Sequence, residues 1–323
     1  MTKLSIAFVM ALVAVATADT KPAPKDAKPV ESKPAPKDAK PVESKPAPTD
    51  AKPAGLAKQE IKGFSTPESV LYDAGSDTYL VANINGAPTE ADDNGFISRV
   101  TPDGKIKDLK WIDGSKADVK LDAPKGMAIV GTTLYVADIT VVRKFDAKTG
   151  KALGEIKIEG ATFLNDVASR KAGGVFVTDS GLTPKFESSG TDAVYAIDAK
   201  DKVTALAKSK ALAAPNGVIE AGGKTYTVTF GSGAIYEVPA KGDPKPEKMA
   251  KGQLDGVIVA KDGTFYVSSW EGKTIYKGKP GGKWEDLALD ITSPADFGYD
   301  SKRNALVVPS FQGNTVTIVT LKK

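Results

Sequence analysis

Six copies of one short pattern limit what this chain can fold into more than any single motif does. Pro67-Glu68-Ser69-Val70 recurs as Pro124-Lys125-Gly126-Met127, Leu164-Asn165-Asp166-Val167, Pro215-Asn216-Gly217-Val218, Leu254-Asp255-Gly256-Val257 and Pro294-Ala295-Asp296-Phe297. The second residues stand at 68, 125, 165, 216, 255 and 295, so the spacings are 57, 40, 51, 39 and 40. A second apolar run closes 13 to 15 residues after each of them, on Asn83, Asp138, Asp179, Phe230, Ser269 and Ser310. A third run follows in FISRV, VVRKF, AVYAI, AIYEV, TIYKG and TVTIV, and a weaker, polar fourth begins near Lys105, Lys151, Lys202, Pro246 and Lys283. No stretch sustains a 3.6-residue apolar period, so helices are expected to be scarce. Four antiparallel strands in a unit of about 40 residues make a propeller blade. The sixth unit ends at Lys323 before a fourth strand can form, while AKQEIKGF at 57–64 precedes the first unit. That N-terminal strand is expected to complete the last blade and remove an open sheet edge. The fold class is therefore all-β, a six-bladed β-propeller over residues 56–323.

The rest of the chain has a different texture. A basic start, the apolar run LSIAFVMALVAVA and Ala16-Thr17-Ala18 read as a secretory signal peptide at 1–18, cleaved after Ala18. Residues 19–55 contain KPAPKDAKPVES twice in succession and a degraded third copy, with nine prolines and little apolar bulk. Such a segment cannot bury a core and is expected to be a solvated spacer. At about 3.1 Å per residue in polyproline II it reaches on the order of 100 Å, enough to contact a cell wall. The expected location is secreted or periplasmic, by bacterial-type export, with no membrane span left after signal cleavage. The formal charge of +4 shrinks accordingly. Residues 1–55 hold nine Lys and six Asp+Glu, leaving 35 Lys+Arg against 34 Asp+Glu in the remainder. A nearly neutral domain without a basic stripe does not suit a nucleic-acid partner, and a monomer is expected.

The chain contains no histidine and no cysteine. This excludes Ser-His-Asp and Cys-His nucleophile pairs, His/Cys zinc sites and disulfides. A metal would be held by oxygen, and a general base would be a carboxylate, Lys or Tyr. In a propeller the first strand of each blade lines the central channel, so its entrance residue points into a common mouth. That ring reads Glu68, Lys125, Asn165, Asn216, Asp255 and Ala295, and the returning second strands add Asn83, Asp138, Asp179, Phe230, Ser269 and Ser310. Two carboxylates and two carboxamides offer four hard oxygens, and Ca²⁺ takes six to eight with water or substrate completing the shell. A plainer reading is also open, because Asn216-Gly217 and Asp255-Gly256 are common turn dipeptides, and Asn165-Asp166 could be a turn as well. Long insertions at 83–95 and 179–192 follow the second strand in two blades and are expected to rise over the same mouth.

Residues 57–323 resemble the gluconolactonase and senescence marker protein (regucalcin)-like family of six-bladed propellers. The likeness rests on Pro67-Glu68-Ser69-Val70, Leu164-Asn165-Asp166, Pro215-Asn216-Gly217 and Leu254-Asp255-Gly256. It implies that Glu68, Asn216 and Asp255 ligate a divalent cation, with Asn165 as a further ligand or substrate contact. It also implies Asp255 as general base or nucleophile, and a cation that polarises a lactone carbonyl. Lys125 departs from the family pattern, where a small or neutral residue is expected. Its ammonium either binds an anionic substrate group such as an aldonate carboxylate, or pairs with Glu68 or Asp255 and replaces the metal. Phe230 is a second departure, a ring where blades two and three present Asp138 and Asp179. Those three residues, with Lys125 and Asn165, form the expected substrate contacts.

The expected function is an exported, Ca²⁺-dependent hydrolase acting on a lactone, a sugar-acid derivative or a similar ester. The alternative is a non-catalytic propeller that binds a ligand at the end of a spacer. A phosphotriesterase is a third option.

Overall fold

The computed structural model describes residues 56–322; the segments read as a signal peptide (1–18) and a spacer (19–55) lie outside them. Within the described residues the chain forms six four-stranded antiparallel sheets. Middle strands such as Thr78–Asn83 and Phe265–Ser269 are buried along their whole length, because each blade is covered on both faces by its neighbours. Outer strands such as Ala152–Lys157 and Val203–Lys208 are mostly exposed, and their charged residues discourage edge-to-edge pairing. The described residues contain no α-helix and one 3-10 turn, Lys210–Leu212, whose first turn is capped by Ser209.

The core is divided among the seams between blades. Leu80 and Ile97 of blade one meet Met127, Leu134 and Phe145 of blade two, and Val228 and Ile235 of blade four meet Val257 and Val267 of blade five. The seam between blades three and four is thinner, with Ala168, Phe176, Val194 and Ala196 packed on Val218. Here a buried carboxylate adds a polar tie, since Asp166 Oδ2 accepts the Val218 amide at 2.7 Å.

The ring closes as the repeat pattern anticipates. Blade six takes Gly298–Asp300, Ala305–Ser310 and Thr315–Thr320, and Ala57–Lys62 adds its outer strand in continuous register from Ala57↔Thr320 to Lys62↔Thr315. Only Ile61 of that strand is buried; it joins Phe64, Val70, Val307 and Val316 in the seam between blades six and one. Two further ties cross the same seam. The Arg303 guanidinium donates to both Asp77 oxygens at 2.8 Å, and Asp300 accepts from Arg303 and from the Tyr79 hydroxyl. These donors hold Asp77 well below the usual carboxylate range. Nearer the axis, Asp296 and Glu68 join blade six to blade one, through Asp296 N to Glu68 O at 3.0 Å and Val70 N to Asp296 O at 3.1 Å.

A second regularity aims the site. In each of the first five blades the innermost strand slips register against the second strand at the ring residue, between 67 and 69, 124 and 127, 164 and 167, 215 and 218, and 254 and 257. A bulge of this kind leaves residues unpaired and redirects their side chains. The Asn-Gly and Asp-Gly units therefore lie inside strands Pro215–Ala221 and Leu254–Val259, which overturns the turn reading. Their glycines answer to crowding. A Cβ on Gly217 would stand 2.6 Å from the Asp255 carbonyl oxygen, and one on Gly256 2.6 Å from Asp296 Oδ1.

Closure by the N-terminal strand predicts a stability difference within it. Ile61→Ala should cost about 2–3 kcal/mol, whereas exposed Lys62→Ala should stay within about 0.5 kcal/mol. Urea midpoints read the comparison, and equal midpoints would show that the strand does not hold the ring.

Candidate metal centre at the propeller mouth

Five of the six ring residues are polar and nearly inaccessible. Glu68 is 5% exposed, Lys125 1%, Asn165 6%, Asn216 3% and Asp255 3%, and Ala295 completes the circle. Buried polar atoms normally find partners. Here Glu68 Oε2, Asn216 Oδ1 and Asp255 Oδ1 have none. Three orphaned oxygens, one from each of three ring residues, are the pattern left by a hard cation's donor set. The other Asp255 oxygen accepts the Trp270 indole Nε1 at 2.7 Å. Asn165 is steadied differently: its Nδ2 donates to Ser180 Oγ at 3.0 Å, and Ser180 in turn donates to the Pro215 carbonyl at 2.7 Å.

Two more carboxylates, Asp166 and Asp296, follow ring residues 165 and 295 directly and are also buried. Both belong to the repeat unit, yet period alone did not single them out because they sit one residue past the ring. Asp296 Oδ2 accepts Ser69 Oγ at 2.7 Å, and Asp166 accepts the Val167 and Val218 amides. Burial raises the pKa of all four acids. It lifts Asp255 to about 8 and Asp166 to about 6. Glu68 is raised well above its ordinary value by burial and by the charges of Asp255 and Asp296, and Asp296 by burial and by Asp166. Four buried acids thus share the axis with one buried ammonium. Among the described residues no group of three or more His, Cys, Asp or Glu side chains is placed to hold a metal; the ring instead brings together two carboxylates and two carboxamides.

Lys125 neither bridges Glu68 and Asp255 nor offers its charge to the mouth. Its Nζ donates to Pro88 O at 3.0 Å and Ala123 O at 2.9 Å, and lies 4.7 Å from the Phe163 ring centre. Burial lowers its pKa to about 8, against the pull of Glu68. It fastens the 84–95 loop to the ring. The 180–192 loop comes to the same place, with Phe186 packed edge-on against Phe163 at 6.1 Å.

The second ring departs from the sequence reading. Asp138 accepts the Asp122 and Ala123 amides and Arg143 Nε, and Asp179 accepts the Thr162, Phe163 and Gly181 amides. Both carboxylates are fully buried, and each of their oxygens already accepts a bond, mainly from loop backbone. Phe230 belongs to another position altogether. Pro215 pairs with Thr229, as Leu254 pairs with Ser269, so Thr229 is the counterpart of Asp138 and Asp179. Phe230 corresponds to Ile84, Ser180, Trp270 and Phe311, each of whose amides donates to the carbonyl two residues ahead of its ring residue, at 2.9–3.1 Å. Three of those five are aromatic. Trp270, one residue past the run ending on Ser269, was the signal that sequence reasoning passed over.

The buried acids set a pH dependence. Their folded-state pKa values exceed the unfolded ones, so their stabilising contribution is complete below about pH 4 and is lost as pH rises through about 6 and about 8. Cation binding needs the ionised forms and should strengthen over the same window. Ca²⁺ at about 100-fold its Kd adds about 2.7 kcal/mol, a melting shift of roughly 5–10 °C. That shift should be large near about pH 8.5 and small near about pH 5.5 in thermal unfolding; a shift equal at both would contradict the donor set.

No protein-family model and no curated protein sequence matches the chain. Solved structures do. A gluconolactonase from Xanthomonas campestris aligns over 85% of this chain and 97% of its own, at 14% identity and a TM-score of 0.64. Regucalcin from Agrobacterium tumefaciens, a calcium-binding protein, aligns over 83% of this chain and 96% of its own, at 17% identity and a TM-score of 0.61. Virginiamycin B lyase from Staphylococcus aureus, solved with quinupristin, aligns over 83% of this chain and 100% of its own, at 12% identity and a TM-score of 0.55. The chain thus has the six-bladed fold of the gluconolactonase and regucalcin propellers, which it resembles.

Proposed function

We propose that this chain is an exported, Ca²⁺-dependent hydrolase that opens a lactone or a similar ester at the propeller mouth. The observation that carries the reading is the set of unpartnered oxygens on the buried side chains of Glu68, Asn216 and Asp255. Likeness to a gluconolactonase and to a calcium-binding regucalcin supports the same chemistry. Glu68, Asn216 and Asp255 would hold the cation, with Asn165 as a fourth donor or a substrate contact. When bound, the cation supplies positive charge that polarises a carbonyl and steadies the developing oxyanion.

The protein's own groups do the rest. Trp270 holds Asp255 Oδ2 and leaves Oδ1 toward the ring. The Asp255 carboxylate acts as general base, taking a proton from the water that attacks the carbonyl and returning it to the lactone's ring oxygen as the C–O bond breaks, or as nucleophile in an acyl intermediate that water then hydrolyses. Neutralising the carboxyl removes either role. Ser180 fixes the Asn165 amide plane. No imidazole or thiol exists in the chain, and Asp255 is the carboxylate of the ring that Trp270 orients for this role. Export rests on the leader at 1–18, and a cell-wall contact on the spacer at 19–55.

The same geometry separates function from stability. Asp255→Asn removes a buried charge that the cation-free fold tolerates poorly, so its melting temperature without calcium should equal or exceed wild type near about pH 8. Its turnover should fall by about 10³-fold or more, and the calcium shift in melting should vanish. Wild-type protein that binds Ca²⁺ yet opens no lactone or ester would favour the non-catalytic binding module. An Asp255→Asn protein with full turnover would remove the role assigned to this carboxylate.

A further inference from the structure

Blades four, five and six each place an aromatic side chain at the position just past the second strand, Phe230, Trp270 and Phe311. The three rings touch in sequence. Phe230 meets Trp270 edge-on at 5.3 Å between centres, and Trp270 meets Phe311 at 5.1 Å with planes tilted by 43°. All three are half-buried, so each keeps part of its surface accessible. The central one is bonded to the reacting carboxylate through Trp270 Nε1 and Asp255 Oδ2. The equivalent positions in blades one to three carry Ile84, Ile139 and Ser180, of which Ile84 and Ser180 are buried. A continuous run of aromatic rings thus follows three adjacent blades and begins at the site itself, while Phe163 and Phe186 form a separate aromatic pair beside Lys125.

The polar side chains around that rim are already engaged. Asn83 binds the Ser65 amide and the Val81 carbonyl, and Ser269 and Ser310 donate to the Gly252 and Thr292 carbonyls. Thr229 bonds Ser232 and the Ala234 backbone, while Asp138 and Asp179 are spent on loop amides. Lys125 is closed off by two carbonyls and a ring. Selecting a polyhydroxylated lactone requires several free donors and acceptors spaced around its hydroxyls. The unpartnered buried oxygens of Glu68, Asn216 and Asp255 are assigned to a cation by the proposed function, which leaves the Asn165 carboxamide as the ring's remaining polar contact for a substrate. An apolar ring, by contrast, finds an aromatic surface of the kind that dominates ligand pockets.

Resting on the hydrolase reading above, we infer that the substrate is a lactone or ester bearing an aromatic or extended apolar group, which lies on the Phe230–Trp270–Phe311 wall while its carbonyl faces Asp255. Trp270 then has two duties, holding Asp255 and supporting the apolar group. Phe230 and Phe311 set specificity alone, because neither bonds to the ring acids.

The test uses the full chain with Ca²⁺ and two kinds of probe. Equilibrium binding compares two lactams that cannot be hydrolysed: 3,4-dihydroquinolin-2-one, which carries an aromatic ring, and gluconolactam, which carries hydroxyls. Wild-type protein should bind the aromatic lactam at least about 10-fold more tightly, and Phe230→Ala and Phe311→Ala should each erase most of that preference. Retention of the calcium-induced melting shift in both variants verifies that they fold with the ring intact. Tighter binding of gluconolactam, or a preference that survives both substitutions, overturns the inference. Turnover of the matching lactones, dihydrocoumarin and glucono-δ-lactone, is read separately. If neither is opened while the aromatic lactam binds as expected, the hydrolase reading fails and the aromatic subsite stands. If both are opened at equal kcat/KM and the variants alter both alike, the subsite fails and the hydrolase reading stands.

Discussion

Six innermost strands must converge on one axis for this site to exist, and that convergence depends on closing a circle of sheets that have no covalent link between first and last. The strand Ala57–Lys62 supplies the missing edge, paired along its full length to Thr315–Thr320 but buried only at Ile61. Hydrogen bonds therefore carry most of that closure, helped by Arg303 and Asp77 away from the ring and by the Asp296–Glu68 backbone pair beside it. The last of these couples closure directly to chemistry, because the backbone that joins the ends of the circle is the backbone of a proposed ligand.

Convergence also sets the electrostatics. Glu68, Asp166, Asp255 and Asp296 are brought together where burial works against ionisation, and the one nearby ammonium, Lys125, is turned to carbonyl oxygens instead. Asp166 and Asp296 find hydroxyl or amide donors, whereas Glu68 and Asp255 each retain a bare oxygen. Repulsion among like charges is a cost to the fold, and the cation of the proposed function would relieve it. The bulges that point these side chains inward, and the glycines that allow neighbouring strands to approach within van der Waals limits, are the local devices that make the arrangement possible.

The fold was legible because its signals are local and repeated. Strand alternation, the unit of about 40 residues and the unmatched N-terminal strand each leave a mark in consecutive residues, and six copies average out the irregular ones. The ring was legible for the same reason: 68, 125, 165, 216, 255 and 295 hold one position in the repeat. Legibility failed by a single residue at Phe230, where Thr229 is the true counterpart of Asp138 and Asp179. A one-residue error in a strand exchanges one face for the other, and it hid the kinship of Phe230 with Trp270 and Phe311. Glycine misled in another way. Asn216-Gly217 and Asp255-Gly256 look like turns in a linear reading, and only packing against the adjacent strand shows why a Cβ is forbidden there.

What the sequence determined by itself is the architecture and the chemical vocabulary: an all-β six-bladed ring, and a site limited to oxygen donors because the chain has no histidine or cysteine. Both follow from residue type and period, which need no knowledge of contacts. What only the tertiary structure decided is how each polar group is employed. Asp138 and Asp179 hold loops, Lys125 caps two carbonyls, and Trp270 secures Asp255. Such partnerships join residues distant along the chain, and the free energy of a buried polar atom depends on whether a partner is within about 3 Å. No one-dimensional pattern records that distance.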